Sequence, residues 1–131
     1  MKNRNYSRKR EAILAKIRST KTHPTAEWVY RELKDEYPDL SLGTVYRNIG
    51  LFKEVGDILS VGTVDGQERF DGNTTPHGHF ICPKCQAVID IAVPVEHPEI
   101  SAFLEKTMGF QVERVDLVAY GVCDTCLKTS H

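Results

Sequence analysis

The chain has 131 residues, 40% hydrophobic and 27% charged, with 17 Lys and Arg against 18 Asp and Glu. It contains no run of about 18 apolar residues and starts with a basic, polar stretch from Met1 to Arg10. These features exclude a membrane-spanning protein, a secreted precursor, a collagen and a disordered tail, and leave a globular chain expected in the cytoplasm.

The near-neutral total conceals an asymmetry. Met1 to Lys53 carries 12 basic and 6 acidic residues, whereas Glu54 to His131 carries 5 basic and 12 acidic. Two parts with different partners are therefore expected. The basic part suits phosphates, because Lys and Arg release counterions from nucleic acid; a solvated helical surface is the plainer alternative.

In chain order, residues 7–18 put Ala12, Ile13, Ile17 and the adjacent Leu14 on one helical face. A turn through His23-Pro24 follows, and Thr25 can cap a second helix predicted from Ala26 to Tyr37 with Pro38 as its stop. Ser41 caps a third, in which Leu42, Val45, Ile49 and Phe52 recur at helical spacing and Gly56 supplies the end. Gly43, Thr44 and Arg47 face away from that stripe, with Tyr46 at its edge. Residues 57–71 read as two strands joined at Asp65-Gly66, a two-residue hairpin signal. Three helices and a hairpin over residues 1–70 outline a winged helix-turn-helix.

Residues 71–76, DGNTTP, are turn formers and are expected to be a hinge. Residues 77–131 then form a small α/β unit. The runs around HGHFIC and AVIDIAV are strand-like, a helix is predicted from Pro98 to a stop at Gly109, and Phe110 to Val122 alternates as one long strand. A unit of this size usually needs a metal or a partner subunit to fold.

The four cysteines form two C-x-x-C pairs, Cys82/Cys85 and Cys123/Cys126, with 37 residues between them. Two intervening residues let both sulfurs reach one ion, so four thiolates suit a closed, structural Zn2+ site; an iron–sulfur cluster and redox or disulfide roles are the alternatives. His77 and His79 are two apart on a strand and project to one face. With Asp90 on the next strand, Asp71 at the hinge and His23 between the first helices, they make a nitrogen–oxygen set suited to Fe2+, Mn2+ or Zn2+. Each has a plainer alternative: a local hydrogen bond for His23, solvation or turn capping for the aspartates. His97 is expected to cap or lie on the surface, and His131 to be free.

The segments HPTAEWVYREL, SLGTVYRNI, the Asp-Gly wing, RFD, HGHFICPKC and YGVCDTC occur in the order found in the ferric uptake regulator superfamily, which the chain resembles from Ser7 to Cys126. Within it the chain is most similar to the peroxide-sensing repressors. There Asp stands at the position of Asp90, where the iron-uptake branch usually has Glu. Thr75-Pro76 and Gly78 replace donors of an additional metal site, and Ser7-Arg8-Lys9-Arg10 departs from the usual first-helix start.

The resemblance implies an α+β architecture with a winged-helix DNA-binding domain and a zinc-stabilised dimerisation domain. It implies structural zinc at the four cysteines, and regulatory Fe2+ or Mn2+ at His23, Asp71, His77, His79 and Asp90. It further implies operator contacts by Thr44, Tyr46, Arg47, Arg8, Lys9 and Arg10. The expected function is a homodimeric repressor, not an enzyme, with no small-molecule substrate beyond hydrogen peroxide. Peroxide would oxidise His23 and His77 and release double-stranded operator DNA. An iron-uptake repressor, a small non-haem iron enzyme and a zinc-stabilised adaptor without a DNA role are the competing readings.

Overall fold

Ile13 and Ile17, one turn apart on α1 (Lys2–Arg18), are fully buried. They pack with Val29 and Leu33 of α2 (Ala26–Leu33) and with Val45, Ile49 and Phe52 of α3 (Leu42–Val55) in the core of a three-helix unit. The structure is a computed structural model and describes residues 2–75, 77–92 and 98–129, with side chains from residue 7 onward. His97, His131 and Pro76 lie outside the described residues. The chain divides into two compact units, Met1–Thr74 and Thr75–His131.

Both anticipated N-caps form. Thr25 accepts a hydrogen bond from the Trp28 N–H at 3.1 Å, and Ser41 accepts one from Thr44 N–H at 3.1 Å. α3 ends at Gly56, which is left-handed with φ 84°, and Asp57 N–H returns to Phe52 O at 2.9 Å. α2 is shorter than its sequence predicts, stopping at Leu33. Residues 34–36 are all exposed and offer no apolar face to hold another turn, and Pro38 disfavours helical backbone at Tyr37.

β1 (Leu59–Val64) and β2 (Gln67–Asp71) form an antiparallel wing. Asp65 and Gly66 have φ of 53° and 77°, as a tight turn with two left-handed residues requires. Phe70 fixes the wing to the unit by joining the helical core, and Val61 and Val64 are buried as well.

In the second unit, β3 (Gly78–Cys82) is the centre of a sheet of order β4-β3-β5. It runs antiparallel to β4 (Ala87–Ile91) and parallel to β5 (Val118–Tyr120). α4 (Pro98–Met108) lies between β4 and β5 in sequence and stops at Gly109, φ 73°. The long strand expected from Phe110 to Val122 is realised only over Val118–Tyr120. Pleated alternation becomes a strand only where a neighbour supplies hydrogen bonds, and the short β3 pairs with no more than this segment. A short helix that the pattern did not announce, α5 (Asp124–Thr129), closes the described chain.

The whole is α+β: a winged helix-turn-helix followed by a small α/β unit. Among the described residues no helix is long and apolar enough to cross a membrane.

Candidate metal centres and nucleic-acid interface

The four cysteines come together in the second unit. Cys82 ends β3, Cys85 lies in the following turn, Cys123 precedes α5 and Cys126 lies within it. The turn is held by Gln86 N–H on Cys82 O at 2.7 Å, with Gln86 at φ 66°. Cys82 Sγ lies 3.8 Å from Cys126 Sγ, and Cys85 Sγ lies 3.7 Å from Cys123 Sγ. All four sulfurs fall within 4.8 Å of one another.

A tetrahedron with metal–sulfur bonds of about 2.3 Å has edges of about 3.8 Å, so these separations fit one Zn2+. Backbone N–H groups, first that of Cys123 and then that of Cys85, lower the Cys82 thiol to about 6. Burial and the neighbouring sulfurs push Cys126 up to about 12. Crowded sulfurs cannot all ionise together unless a cation neutralises them. One apolar cluster here consists of Cys82, Cys123 and Cys126 with Phe80 against them, and Ile81 and Val88 are also buried, so among the described residues the cysteines form a large share of the unit's interior.

His77, His79 and Asp90 also meet within the second unit. His79 on β3 and Asp90 on β4 are register partners. His77 Nε2 lies 2.9 Å, and His79 Nε2 3.4 Å, from the same Asp90 Oδ1. The two imidazole centroids are 4.5 Å apart. The other nitrogen of His77, Nδ1, donates to Thr75 O at 2.6 Å. Both nitrogens of that ring therefore face acceptors, whereas a neutral imidazole carries one N–H. A cation in front of Nε2 satisfies the arrangement, and a backbone carbonyl behind a ligating histidine is the usual way of orienting it.

In the first unit His23 and Asp71 form a second histidine–carboxylate pair. Both are buried, with His23 Nε2 3.3 Å from Asp71 Oδ2. His23 has φ 59°, a conformation that costs a non-glycine residue of order 1–3 kcal/mol. β2 holds it there. Arg69 donates from Nε to His23 O and from a terminal nitrogen to Thr22 O at 2.5 Å, while Phe70 N–H bonds Pro24 O at 3.0 Å. Asp71 also turns the chain by accepting from Asn73 N–H at 2.8 Å. Arg69 was not singled out from the sequence, although it stands in the quoted RFD segment; its partners are backbone carbonyls, which side-chain patterns do not reveal.

On α3, Tyr46 and Arg47 are exposed and Thr44 is half-buried. Arg47 donates to Thr44 Oγ1 at 3.0 Å, so these two candidates share one surface. The Tyr46 hydroxyl donates to Glu27 of α2, and this bond raises the phenol above its ordinary value. The α1 candidates diverge. Arg8 is exposed, Lys9 pairs with Asp39 at 2.9 Å, and Arg10 donates from Nε to the buried Asn48 at 3.1 Å. Asn48 in turn donates to Thr44 O at 2.9 Å. Arg10 thus ties α1 to α3 through Nε while its residue stays exposed, a contact that Asn48, an interior polar residue on an apolar stripe, makes possible.

The model of the Ferric uptake regulator family matches residues 2–120. The Peroxide-responsive repressor PerR of Staphylococcus aureus is 36% identical over 117 residues, which cover 89% of this chain and 78% of that protein. Among solved structures, the Campylobacter jejuni peroxide stress regulator matches with a TM-score of 0.76 at 28% identity, covering 93% of this chain and 91% of that one. A zinc-bound manganese uptake regulator matches with a TM-score of 0.59 at 30% identity, covering 87% and 86%. The chain belongs to the ferric uptake regulator family.

Proposed function

We propose that this chain is a cytoplasmic, homodimeric, metal-dependent repressor that grips operator DNA when its regulatory site is loaded and lets go when hydrogen peroxide oxidises that site. The observation that carries the reading is the distribution of donors. His23 and Asp71 belong to Met1–Thr74, whereas His77, His79 and Asp90 belong to Thr75–His131. An ion that draws on both sets favours the arrangement in which they meet, and only such differential affinity moves a conformational equilibrium. Going from a mostly open to a mostly closed population takes roughly 10⁴-fold preference, or about 5.5 kcal/mol, which several metal–ligand bonds can supply. Two first units held at the right spacing then engage both half-sites of an operator.

Arg47 and Tyr46, exposed on α3, are assigned to base edges with Thr44 beside them, and Arg8, Lys9 and Arg10 to phosphates. Cys82, Cys85, Cys123 and Cys126 are assigned to structural Zn2+, in keeping with their sulfur separations. Residues 1–70 are read as the DNA-binding domain, 71–76 as the hinge and 77–131 as the dimerisation domain. A second copy is the natural cover for α4, which buries none of its own residues and exposes Ile100, Phe103 and Met108. The acidic charge of this half keeps it off DNA.

His23, Asp71, His77, His79 and Asp90 would hold Fe2+, which would supply the reducing power for peroxide beside the ligating rings; Mn2+ held there would support DNA binding without that chemistry. His23 and His77 are the expected targets, each gaining one oxygen as 2-oxo-histidine. An oxidised ring is a poorer donor, so the two sets of residues separate and the operator is released.

A plain iron-uptake repressor would use the same donors without damaging them. Mass spectrometry of tryptic peptides from the Fe2+-loaded protein after peroxide separates the two. A one-oxygen gain on the His23 and His77 peptides supports peroxide sensing; unchanged peptides together with metal-dependent operator binding overturn it in favour of the iron-uptake reading.

A further inference from the structure

We propose that Arg69 is a positioning residue for the regulatory metal: it holds the His23 imidazole in place by gripping backbone carbonyls and does not itself touch the ion. The inference rests on the metal-dependent reading above. Three consecutive residues of β2 address three consecutive residues of the loop before α2. Arg69 donates to the carbonyls of Thr22 and His23, Phe70 N–H to that of Pro24, and Asp71 faces the His23 ring at 3.3 Å. The strand residue opposite Arg69 is Gly62, which has no side chain of its own to meet the guanidinium.

The grip falls on the one residue of the loop with a left-handed backbone, His23 at φ 59°. A residue there relaxes unless its surroundings determine it. A planar, forked donor holds two adjacent carbonyls in fixed directions, which Arg supplies; the three rotatable donors of a Lys ammonium on a flexible stem do not fix that geometry. Relaxation at φ swings the side chain about the backbone, so losing the fork takes the imidazole away from Asp71. The sequence thus places holder and ligand on one short strand: residue 69 sets the angle of His23 and residue 71 supplies the neighbouring oxygen.

The test uses the full zinc-loaded chain and Mn2+ as the probe. Mn2+ affinity is titrated for the wild type, Arg69→Lys, Arg69→Met, His23→Ala and the double variant Arg69→Lys/His23→Ala, alongside zinc content and thermal unfolding. Arg69→Lys is expected to lose roughly 10–100-fold in Mn2+ affinity, the usual effect of removing an outer partner of a ligand, with zinc content and melting temperature retained. In the His23→Ala background it is expected to cost nothing further, because Arg69 acts through that ring. In the metal-free protein the His23 imidazole NMR signals are expected to shift in Arg69→Lys while those of His79 stay. Wild-type affinity in Arg69→Lys, or an equal loss with and without His23, overturns the proposal. If Mn2+ binding by the wild type does not depend on His23, the proposed function fails instead, and unchanged His23 signals in Arg69→Lys then overturn the positioning role separately.

Discussion

Asp90 stands opposite His79 in the β3–β4 ladder, and its Oδ1 faces the Nε2 atoms of both His79 and His77, at 3.4 Å and 2.9 Å. A carboxylate on a paired strand has little freedom to choose another position, so its length matters. Asp90→Ala is expected to weaken Mn2+ binding by roughly 10-fold or more, because two imidazoles lose their shared anion. Asp90→Glu keeps the charge but adds a methylene. It is expected to retain Mn2+-activated operator binding and to lower the yield of oxidised His23 and His77 after Fe2+ and peroxide. Peptide mass spectrometry reads the second effect, and an undiminished yield would remove Asp90 as the determinant of sensing.

The cysteines supplement a small hydrophobic core in the second unit, where Cys82, Cys123 and Cys126 are buried together and Ile81 and Val88 are the other buried apolar side chains among the described residues. Cys123→Ser, or a strong chelator acting on the wild type, is expected to abolish cooperative folding of Thr75–His131, because metal affinity there is also folding free energy. Zinc content should fall in step with the circular dichroism signal. The helices of Met1–Thr74, whose core is Ile13, Ile17, Val29, Val45 and Ile49, are expected to persist. Full folding without zinc would refute the structural assignment.

Two glycines should respond in opposite directions to alanine. A Cβ on Gly72 would lie 2.7 Å from Arg18 Cγ and 2.9 Å from its Cα, and the backbone atom cannot yield. Gly72→Ala is therefore expected to destabilise by about 1–3 kcal/mol. A Cβ on Gly50, inside α3, meets nothing within 4 Å, and Gly50→Ala is expected to stabilise by up to about 1 kcal/mol through helix propensity. Denaturant melts of both variants check the signs.

Base reading and phosphate contact separate by their salt and sequence dependence. Arg47→Ala is expected to cost about 1–3 kcal/mol on the operator and much less on scrambled DNA, if the guanidinium reads a base. Arg8→Ala is expected to weaken both alike and to flatten the salt dependence by roughly one counterion. Fluorescence anisotropy over a range of salt concentrations distinguishes them.

Sequence alone sufficed for features whose cause is local. Thr25 and Ser41 cap because their oxygens reach an N–H three residues on, Gly56 stops α3 because it accepts a left-handed backbone, and Asp65-Gly66 turns the wing for the same reason. The C-x-x-C spacing likewise announces paired sulfurs before any fold is known. α2 falls short of Tyr37 and α5 was not foreseen, since short helix ends depend on what packs against them.

Tertiary structure decided what depends on residues far apart in the chain. Only pairing with β3 limits the Phe110–Val122 alternation to a three-residue strand. Only packing turns Arg10 toward Asn48, 38 residues away, and Arg69 toward the His23 carbonyl, 46 residues away. A composition or a periodicity records which residues are apolar and where they repeat. It does not record which carbonyl a guanidinium will meet, because that contact exists only once separate elements have closed around a shared core.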